Sequence, residues 1–492
     1  MSVPKRVFMI NKKLCKLIIS AFCVLIFSSN FSTSVCAKEI PSIEPFEETD
    51  RVLIVSPHPD DDIIGCAGVI QRALKAGAKV KVVYITCGDN NPFSIISYDD
   101  LFSFIRNNKM VWLAELIVSW KDRFIALGNT RMQEAINAEK VLGLDEKDLT
   151  FLGYPDHGTD QMFLFSWDRT NPYSNSLAGH SCVPYEKGVG CDKGFTADNL
   201  IEDLKGAIAD FKPTKIFVGH PSDVNGDHWA SYLYTLASLS DLGNTVPQPK
   251  IYPYLIHVPG WPLPRNYHPG RVIMPPEKFF GDISPLVDWH QLKLTAQEID
   301  KKHEAILKHD SQARVSAFYL LAFARQNELF GDFPSIMLKK HRSSELSGTD
   351  IFTADMQWFG YAVVDDSLWI RVSQPKELEK GISLSFIIDG FRKDVPFAKM
   401  PSILVYIDNN KFYIFNATEY KYIYPEGASL EIYQDLMIFK IPLDVLGNPQ
   451  GLFFGPETTA KYMPEGVTAF RVIKIEDDQG RIGQVINAEE KL

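Results

Sequence analysis

The segment from Ser56 to Asp62 reads SPHPDDD and places one imidazole and three carboxylates within five neighbouring positions. An apolar run precedes the segment and residues with helical spacing follow it, so it lies at a strand-to-helix turn. Carboxylates this close repel one another, and a divalent cation would relieve that repulsion. His58 and Asp61 can both face one ion, which leaves Asp60 free to hold a proton. The alternative is a helix N-cap, in which Asp60 or Asp61 accepts hydrogen bonds from backbone N–H groups.

A second segment, from His220 to His228, reads HPSDVNGDH and also lies between an apolar run and a region of helical spacing. In a sheet of parallel strands, ligands bind at the carboxyl ends of the strands, so the two segments can converge on one point. Two histidines and one carboxylate form a typical catalytic zinc set, whose fourth position stays open for water. Two unrelated polar loops are the alternative interpretation.

The elements that must position these segments alternate between strand and helix from about Arg51 to Val258. Short apolar runs lie at 51–56, 80–85, 151–154 and 215–218, and helical spacing marks 63–74, 131–142, 200–208 and 229–236. Repeated strand–helix–strand units imply right-handed crossovers and a mostly parallel sheet with helices on both faces. The predicted fold class is therefore α/β, Rossmann-like and doubly wound. Residues from Gln297 to Leu329 are predicted to be helical.

After Gly331 the pattern changes to short β-type runs separated by turn residues such as Asp365-Asp366-Ser367. We expect a C-terminal all-β sandwich at 346–492, after an α/β domain at 38–345. This region has no cluster of residues with metal-ligand spacing. Its aromatic residues can either stack on sugar rings, in a carbohydrate-binding role, or fill the core of the sandwich. They are Trp358, Phe359, Trp369, Tyr406, Tyr413, Tyr420, Tyr422 and Tyr424.

Residues 1–37 have the features of a secretory signal peptide. Five lysines and arginines without an acidic residue precede the apolar run from Leu17 to Phe27, and Val35-Cys36-Ala37 offers a cleavage site. The alternatives are an uncleaved membrane anchor or a lipid-modified Cys36, but the apolar run is shorter than the ~20 residues that a spanning helix needs. We therefore expect a secreted or periplasmic protein with no stable membrane span after cleavage.

Composition narrows the possible partners. The chain has 492 residues and a net charge of −10, which argues against a nucleic-acid partner because such proteins carry a basic face. Of the cysteines beyond the signal segment, Cys66 and Cys87 have apolar neighbours, whereas Cys182 and Cys191 flank a loop and could form a disulfide. Nothing in the sequence indicates an oligomeric state.

The first segment resembles the HPDD signature of the PIG-L/LmbE-like zinc-dependent de-N-acetylases, and an ordered set of further motifs over about residues 48–332 resembles the same family. The matching segments are Thr86-Cys87-Gly88-Asp89, Arg131 with Glu134, Phe151 to Asp156, Asp227-His228, and two segments that resemble its C-terminal helices, Lys302 to Gln312 and Asn327 to Phe330.

The resemblance implies a role for each of several residues. His58, Asp61 and His228 would bind Zn²⁺, although another divalent metal could take the site. Asp60 would be the general base that activates the attacking water.

Further residues would act on the substrate or on the loop that carries His228. Arg131 and Asp156 would hold sugar hydroxyls or a neighbouring anionic group, unless they are an ordinary surface helix residue and a turn residue. Asp227 would tune the His228 loop electrostatically.

One position departs from the family pattern. Many members carry a histidine three residues before the second metal-binding histidine, whereas this chain has Asn225 there. Asparagine can donate a hydrogen bond to an oxyanion but cannot deliver a proton, so Asp60 would return the proton or another acid would replace the missing histidine. His157 and Asp223 are the candidates. His157, which could also contact the substrate, would otherwise be a surface-loop histidine, and the position of Asp223 favours orienting the His228 loop.

The resemblance implies an exported zinc hydrolase that removes acetyl groups from N-acetylglucosamine-type amino sugars or glycoconjugates. Two alternatives stay open at this point. One is a zinc amidase that acts on a non-sugar amide. The other is a carbohydrate-binding or adhesion protein in which Asn225 has weakened turnover.

Overall fold

The structure is a computed structural model of the chain. It describes residues 39–91, 94, 112–167, 170–174, 179–276, 287–341, 349–350, 358–373, 382–408, 411–433, 436–460, 463–464 and 469–476. The expected signal peptide at 1–37 lies outside these residues, so export stays a prediction. The described residues from Pro41 onward form one compact unit, in which they build two sheets, and the domain boundary at 345/346 also stays a prediction.

Among the described residues, the first sheet has seven strands in the order β3-β2-β1-β4-β5-β7-β6. Its strands are β1 (Arg51–Ser56), β2 (Lys79–Thr86), β3 (Leu149–Tyr154), β4 (Lys215–Gly219), β5 (Lys250–Tyr254), β6 (Asp288–Lys293) and β7 (Asn327–Asp332). The pairs among β1 to β5 are parallel, and β7 pairs antiparallel with both β5 and β6. The predicted mostly parallel sheet is confirmed.

Seven helices accompany this sheet in the described residues. They are α1 (Asp61–Lys75), α2 (Trp112–Leu142), α3 (Thr159–Phe165), α4 (Ala197–Phe211), α5 (Gly226–Leu242), α6 (Ala296–Ile306) and α7 (Asp310–Leu320). From β1 the strand order proceeds towards β3, and from β4 it proceeds the opposite way towards β5. Right-handed crossovers in opposite directions place α1 and α5 on opposite faces of the sheet, as the doubly wound fold requires.

The order of the strands reverses between β1 and β4, which pair directly and in parallel. Such a reversal opens a crevice at the carboxyl ends of the two strands, where ligands bind in doubly wound sheets. The loop that carries His58 follows β1, and the loop from His220 to His228 follows β4. The fold therefore brings the two polar segments to the two sides of one crevice.

The predicted helix from Gln297 to Leu329 is correct only in its first part. Helices α6 and α7 end at Ile306 and Leu320, and the residues from Asn327 onward form strand β7. The interpretation of Asn327 to Phe330 as helical was therefore wrong. Strand β7 has only six residues, NELFGD, and five of them are buried, so its sequence shows no regular alternation of apolar and polar residues that would mark a strand. Pairing with β6 decides its structure.

The second sheet has thirteen strands in the part of the chain that the structure describes, from β8 to a last strand that ends at Glu476. Its strands are β8 (Ile336–His341), β9 (Thr349–Asp350), β10 (Trp358–Val364), β11 (Ser367–Ser373), β12 (Ile382–Phe391), β13 (Ser402–Asp408), β14 (Lys411–Asn416), β15 (Lys421–Ile423), β16 (Ser429–Ile432), β17 (Leu436–Pro442), β18 (Gly451–Ala460), β19 (Met463–Pro464) and β20 (Arg471–Glu476). The strand order along the sheet is β15-β14-β13-β12-β18-β20-β8-β10-β11-β17-β16, with β19 on β18 and β9 on β10.

This sheet folds over so that its two halves pack face to face. Phe439 of β17 contacts Phe386 of β12 and Phe412 of β14, with ring centroids 6.1 and 5.4 Å apart. Tyr361 of β10 likewise meets Phe454 of β18 edge to face at 5.1 Å. The predicted all-β sandwich is therefore confirmed.

Two smaller expectations concern cysteines and membrane spans. Cys66 and Cys87 are buried, and Cys182 and Cys191 are free thiols, so the disulfide that their positions allowed is not formed in the structure. Within the described ranges, no helix combines the length and the apolar character that crossing a membrane demands.

Candidate metal centre

Two imidazoles and one carboxylate meet at the crevice between β1 and β4. One oxygen of Asp61, Oδ2, lies 2.9 Å from His58 Nδ1 and 3.1 Å from His228 Nε2. The rings of His58 and His228 have their centroids 5.3 Å apart, and all three residues are buried. The structure thus brings together the three residues that the sequence analysis proposed as metal ligands.

The outer nitrogen of each ring faces a further acid. His58 Nε2 lies 3.2 Å from Asp156 Oδ1 and 3.1 Å from Asp227 Oδ2. His228 Nδ1 lies 3.3 Å from Asp223 Oδ2. Metal-binding histidines commonly donate their second N–H to a carboxylate, which fixes the orientation of the ring and makes the ligand more basic.

Neighbouring charges strongly shift the pKa values of the three candidate ligands. Burial opposes protonation of His58, but the carboxylates of Asp156 and Asp61 outweigh it and raise the pKa of His58 well above its usual value. Burial likewise opposes protonation of His228, yet Asp223 and Asp61 raise its pKa to about 10. Burial alone would raise the pKa of Asp61, but the two imidazoles hold it well below its usual range. These carboxylates therefore attract positive charge to the space between the rings.

The donor set fits a divalent metal ion. His58, Asp61 and His228 offer two nitrogens and one oxygen within 4.8 Å of one another. Within the described part of the chain, neither ring nitrogen of His228 makes a hydrogen bond of regular geometry, although the residue is 0% exposed. Buried polar atoms normally have partners, and a cation coordinated between the rings would supply one.

Two other groups of possible donors share residues with this set, namely Asp223 with His228 and His257, and His58 with Asp156 and Asp227. Both use the outer ring nitrogens. The group around Asp61 is the one that joins the two loops through a single shared oxygen, and the other two supply its outer carboxylates.

Asp60 is buried beside the ligands and adopts an unusual backbone conformation, with φ of 149°. Its side chain does not cap helix α1, so the N-cap alternative fails for this residue. Arg131 Nη2 lies 3.1 Å from Asp60 Oδ1. Burial raises the pKa of Asp60 to about 7 despite the opposing charge of Arg131. A carboxyl group with this pKa can both accept and return a proton near neutral pH.

Arg131 is buried and bound to the loops that surround Asp60, so it is not a surface helix residue. Its guanidinium donates to Gly88 O at 2.8 Å and to Pro59 O at 3.0 Å. With these contacts, Arg131 positions Asp60 and the ends of β1 and β2. Its expected contact with substrate stays a prediction.

Asp156 and Asp227 both lie next to Nε2, the outer ring nitrogen of His58. Asp156 is 2% exposed and accepts from Asn90 N, so it is not an ordinary turn residue. Asp227 accepts from the backbone N–H of His157 at 2.6 Å and from that of Thr159 at 3.0 Å. Asp227 thus links the loop after β3 to the start of helix α5.

Asn225 is the N-cap residue of helix α5, and its side-chain oxygen accepts from Asp227 N at 2.9 Å. This bond uses the amide oxygen, so the amide NH₂ group is the part that can donate to a substrate. His157 has an exposed side chain (59%), and its Nε2 lies 3.9 Å from Asp156 Oδ1. It therefore sits at the rim of the site.

Sequence reasoning missed two histidines near this centre. The ring of His257 meets the ring of His228 edge to face at 4.5 Å, and His257 Nδ1 lies 3.3 Å from Asp223 Oδ1. His257 follows β5, the next parallel strand after β4, so the rule that ligands bind at strand ends could have found it. His309 is buried at the turn between α6 and α7, where burial and the charge of Arg131 lower its pKa to about 3.

The family described as PIG-L, GlcNAc-PI de-N-acetylase, matches residues 53–238. Over these residues the chain is therefore similar to the PIG-L family. The matched residues begin in β1 and end in α5, so they include all three candidate ligands, Asp60 and Arg131. His257, His309 and the C-terminal sandwich lie beyond the matched residues.

Relatives of the chain share about a quarter of their aligned residues with it. A glucosamine-6-phosphate deaminase-like protein of Bacteroides thetaiotaomicron is 25% identical over 36% of this chain, which spans only 26% of that protein. A 1D-myo-inositol 2-acetamido-2-deoxy-alpha-D-glucopyranoside deacetylase of Kribbella flavida is 25% identical over 57% of this chain and 89% of its own length. Among solved structures, N,N'-diacetylchitobiose deacetylase from Pyrococcus horikoshii matches 58% of this chain and 84% of its own, at 16% identity and a TM-score of 0.33.

Proposed function

We propose that the protein is a zinc-dependent hydrolase that removes the acetyl group from N-acetylglucosamine-type amino sugars or glycoconjugates and releases acetate. The observation that carries this proposal is the single Asp61 oxygen shared by two buried imidazoles, with Asp60 beside it. The PIG-L match and the deacetylase among the relatives support the choice of an acetylated amino sugar as substrate.

His58, Asp61 and His228 are the residues that would hold the ion. When bound, zinc polarises an amide carbonyl and increases the acidity of nearby water. The acids behind each ring keep the imidazoles oriented, since Asp156, Asp227 and Asp223 face their outer nitrogens.

The chain's own residues would handle the protons. Asp60 takes a proton from the attacking water, whose oxygen adds to the amide carbon and gives a tetrahedral intermediate. The C–N bond then breaks, and Asp60 returns the proton to the departing nitrogen, so that one amide and one water become one amine and one acetate. The NH₂ group of Asn225 can donate a hydrogen bond to the oxyanion but cannot supply this proton.

The proposal includes export to the periplasm or the cell exterior. It rests on the pattern of residues 1–37, with positive charge, an apolar run and a cleavage site in sequence. An exported enzyme would meet glycans and glycoconjugates rather than intracellular metabolites. Blotting of the cell fraction and the medium, with the N-terminal residue of the mature protein determined, tests this part independently of activity.

The decisive experiment offers the zinc-loaded mature chain monomers and oligomers of N-acetylglucosamine and measures acetate and free amine. Asp60→Asn should retain zinc, since Asp60 is not among the ligands, and should lose turnover. An Asp60 variant with full activity would overturn the assignment of the base. Release of acetate only from N-acetylated amino acids or polyamines would replace the sugar substrate with a non-sugar amide.

A correctly folded chain that binds zinc and hydrolyses none of these substrates would contradict the proposed activity. Such a result would favour the carbohydrate-binding alternative, for which Asn225 at the family's histidine position is the supporting observation. Asn225→His then provides a direct check. A histidine at this position could act as the general acid, so the variant should release acetate where the parent chain does not.

A further inference from the structure

Four exposed tyrosines lie together at one edge of the sandwich. Tyr413, Tyr420, Tyr422 and Tyr424 are 41%, 64%, 57% and 84% exposed. We call these four residues the tyrosine strip. Single exposed aromatic residues are ordinary on protein surfaces, but a group this dense at one sheet edge indicates a binding surface.

Strand register places the strip on one face of the sheet. Phe415 pairs with Tyr422 between β14 and β15, so the two side chains point the same way. Tyr413 shares that face because it lies two positions before Phe415, whereas Ile414 between them is buried in the sandwich. Tyr424 follows Tyr422 by two positions, just past the end of β15, and is the most exposed of the four.

Two rings of the strip, those of Tyr420 and Tyr422, pack against Phe415 of the same sheet. The ring of Phe415 meets Tyr420 at 5.4 Å and Tyr422 at 5.3 Å, with interplanar angles of 80° and 66°. Edge-to-face contacts of this kind are favourable and fix the direction of both tyrosine rings. A ligand would therefore meet a surface that is already ordered, which lowers the entropy cost of binding.

The face that carries the strip continues to the α/β part of the chain. Gly455, Ile387, Leu404, Phe415 and Tyr422 are neighbours in register across five strands, from β18 to β15. Ile387 of β12 and Leu404 of β13 are each 3% exposed, whereas Tyr422 of β15 is 57% exposed. This face is therefore buried at β12 and β13 and exposed to solvent at β15.

At the other end of this row, Gly455 lies directly under the ring of Phe470. A Cβ added to Gly455 would lie 2.5 Å from Cε1 of that ring. Phe470 in turn stacks on Trp229, the residue after His228. The same face of the sheet thus carries the contact with Phe470, near the candidate metal centre, at one end and the tyrosine strip at the other.

Charge around the strip narrows the chemistry of its ligand. Residues 411–426 contain two lysines and two glutamates, and Lys421 pairs with Glu419 at 2.9 Å. Single-stranded nucleic acids also stack on aromatic rings, but their sites carry a positive groove for the phosphates. Flat rings with a hydroxyl at the tip suit a neutral ligand with apolar faces and many hydroxyl groups, which describes a sugar chain.

We propose that the tyrosine strip binds a neutral glycan chain and so tethers polymeric substrate to the enzyme. Outward residues two positions apart on a strand lie about 7 Å apart, so neighbouring rings can meet successive units of one chain. The tethering role rests on the proposed deacetylase function, whereas glycan binding itself does not.

The test measures binding and turnover separately. Full-length Asp60→Asn protein, which holds but does not consume substrate, is co-sedimented with insoluble chitin, peptidoglycan sacculi and cellulose. The double variant Tyr422→Ala/Tyr424→Ala in the same background should bind at least about tenfold more weakly, which corresponds to about 1.4 kcal/mol. Tyr433→Ala is the matched control, because Tyr433 is 55% exposed and lies outside the strip.

Three outcomes decide the matter. Loss of binding by the double variant supports the strip as a glycan site, provided that its melting temperature is unchanged and that the same two substitutions in the chain with Asp60 intact leave the rate on monomeric N-acetylglucosamine unchanged. Equal binding by the double variant, or no binding of any polysaccharide by the parent protein, overturns it. If acetate release fails on every substrate while the tyrosine variants still lose chitin binding, the proposed function is wrong and the glycan site stands.

Discussion

The ring of Phe470 stacks on the ring of Trp229, with the centroids 4.7 Å apart and the planes inclined by 29°. Trp229 directly follows the candidate ligand His228, and the backbone N–H of Phe470 donates to Pro221 O at 3.2 Å. The C-terminal sheet therefore supports both ends of the loop from His220 to His228. The sandwich therefore contacts the loop that carries one of the candidate metal ligands.

Phe470→Leu should weaken zinc binding as well as fold stability. The side chain is 1% exposed, and a smaller group leaves space in which Trp229 and the His228 loop can shift. We expect stability to fall by about 1–3 kcal/mol and zinc affinity to fall by about tenfold, measured by thermal unfolding and by competition with a chelator.

Phe412→Leu is the control for this variant, because Phe412 packs on Phe439 inside the sandwich. It should reduce stability and leave zinc affinity unchanged. If both variants bind zinc as tightly as the parent chain, the sandwich does not support the metal centre.

Asp223→Asn should reduce zinc affinity by about 10–100-fold, the usual effect of removing an outer carboxylate behind a metal-binding histidine. Asp223 lies 3.3 Å from His228 Nδ1, and its oxygens also accept from the backbone N–H groups of Ile256 and His257. Equilibrium dialysis against a zinc buffer measures the change, and Asp210→Asn on the exposed side of α4 is the control. Unchanged affinity in Asp223→Asn would show that this carboxylate does not act through the metal.

The meeting of His58 and His228 followed from simple patterns. Each lies in a polar loop after a short apolar run, and the strand–helix alternation predicts a parallel sheet whose strand ends share one edge. The ordered motifs then indicated which residues of each loop would be ligands. These signals lie in short stretches of neighbouring residues, so they can be recognised before the fold is known.

The contacts of the outer ring nitrogens could not be predicted in the same way. Which acid faces His58 Nε2 depends on how the loop after β3 lies against helix α5, and no spacing in the sequence reports that arrangement. The strand from Asn327 was missed for a related reason, since its identity depends on pairing with a strand about forty positions earlier.

Gly88→Ala should lower the catalytic rate while leaving zinc bound. Gly88 has a φ of +62°, and an added Cβ would lie 2.3 Å from the guanidinium carbon of Arg131. Arg131 would have to move away and release Asp60, so we expect kcat to fall by at least about tenfold, in line with loss of a positioned general base. A stopped assay of acetate release measures the rate, and atomic absorption measures the zinc content.

Gly206→Ala is the matched control, because Gly206 lies in helix α4 with no atom near its added Cβ. It should leave the rate unchanged and increase stability by up to about 1 kcal/mol, as alanine favours a helix over glycine. Equal rates for the two glycine variants would argue against Arg131 as the residue that positions Asp60.

Asp389→Asn should stabilise the chain at alkaline pH and remove part of its pH dependence. Asp389 is 1% exposed at strand β12, and burial raises its pKa to about 7, with the Ser402 hydroxyl as the smaller opposing influence. A carboxyl group whose pKa is higher in the folded than in the unfolded chain binds its proton more tightly when folded. The parent chain therefore loses stability as the pH rises from about 4 to about 7, and the loss persists above that range.

Asparagine cannot ionise, so the variant should lack this loss and exceed the parent at pH 8 by up to about 4 kcal/mol, since each tenfold change in proton affinity is worth about 1.4 kcal/mol. Denaturant unfolding at pH 4.5 and pH 8 measures the difference, with exposed Asp444→Asn as the control. Near pH 4.5 the two chains should differ little, because Asp389 is protonated in the folded parent. If the advantage of Asp389→Asn were the same at both pH values, it would come from packing or hydrogen bonding, and Asp389 would not be the group that titrates.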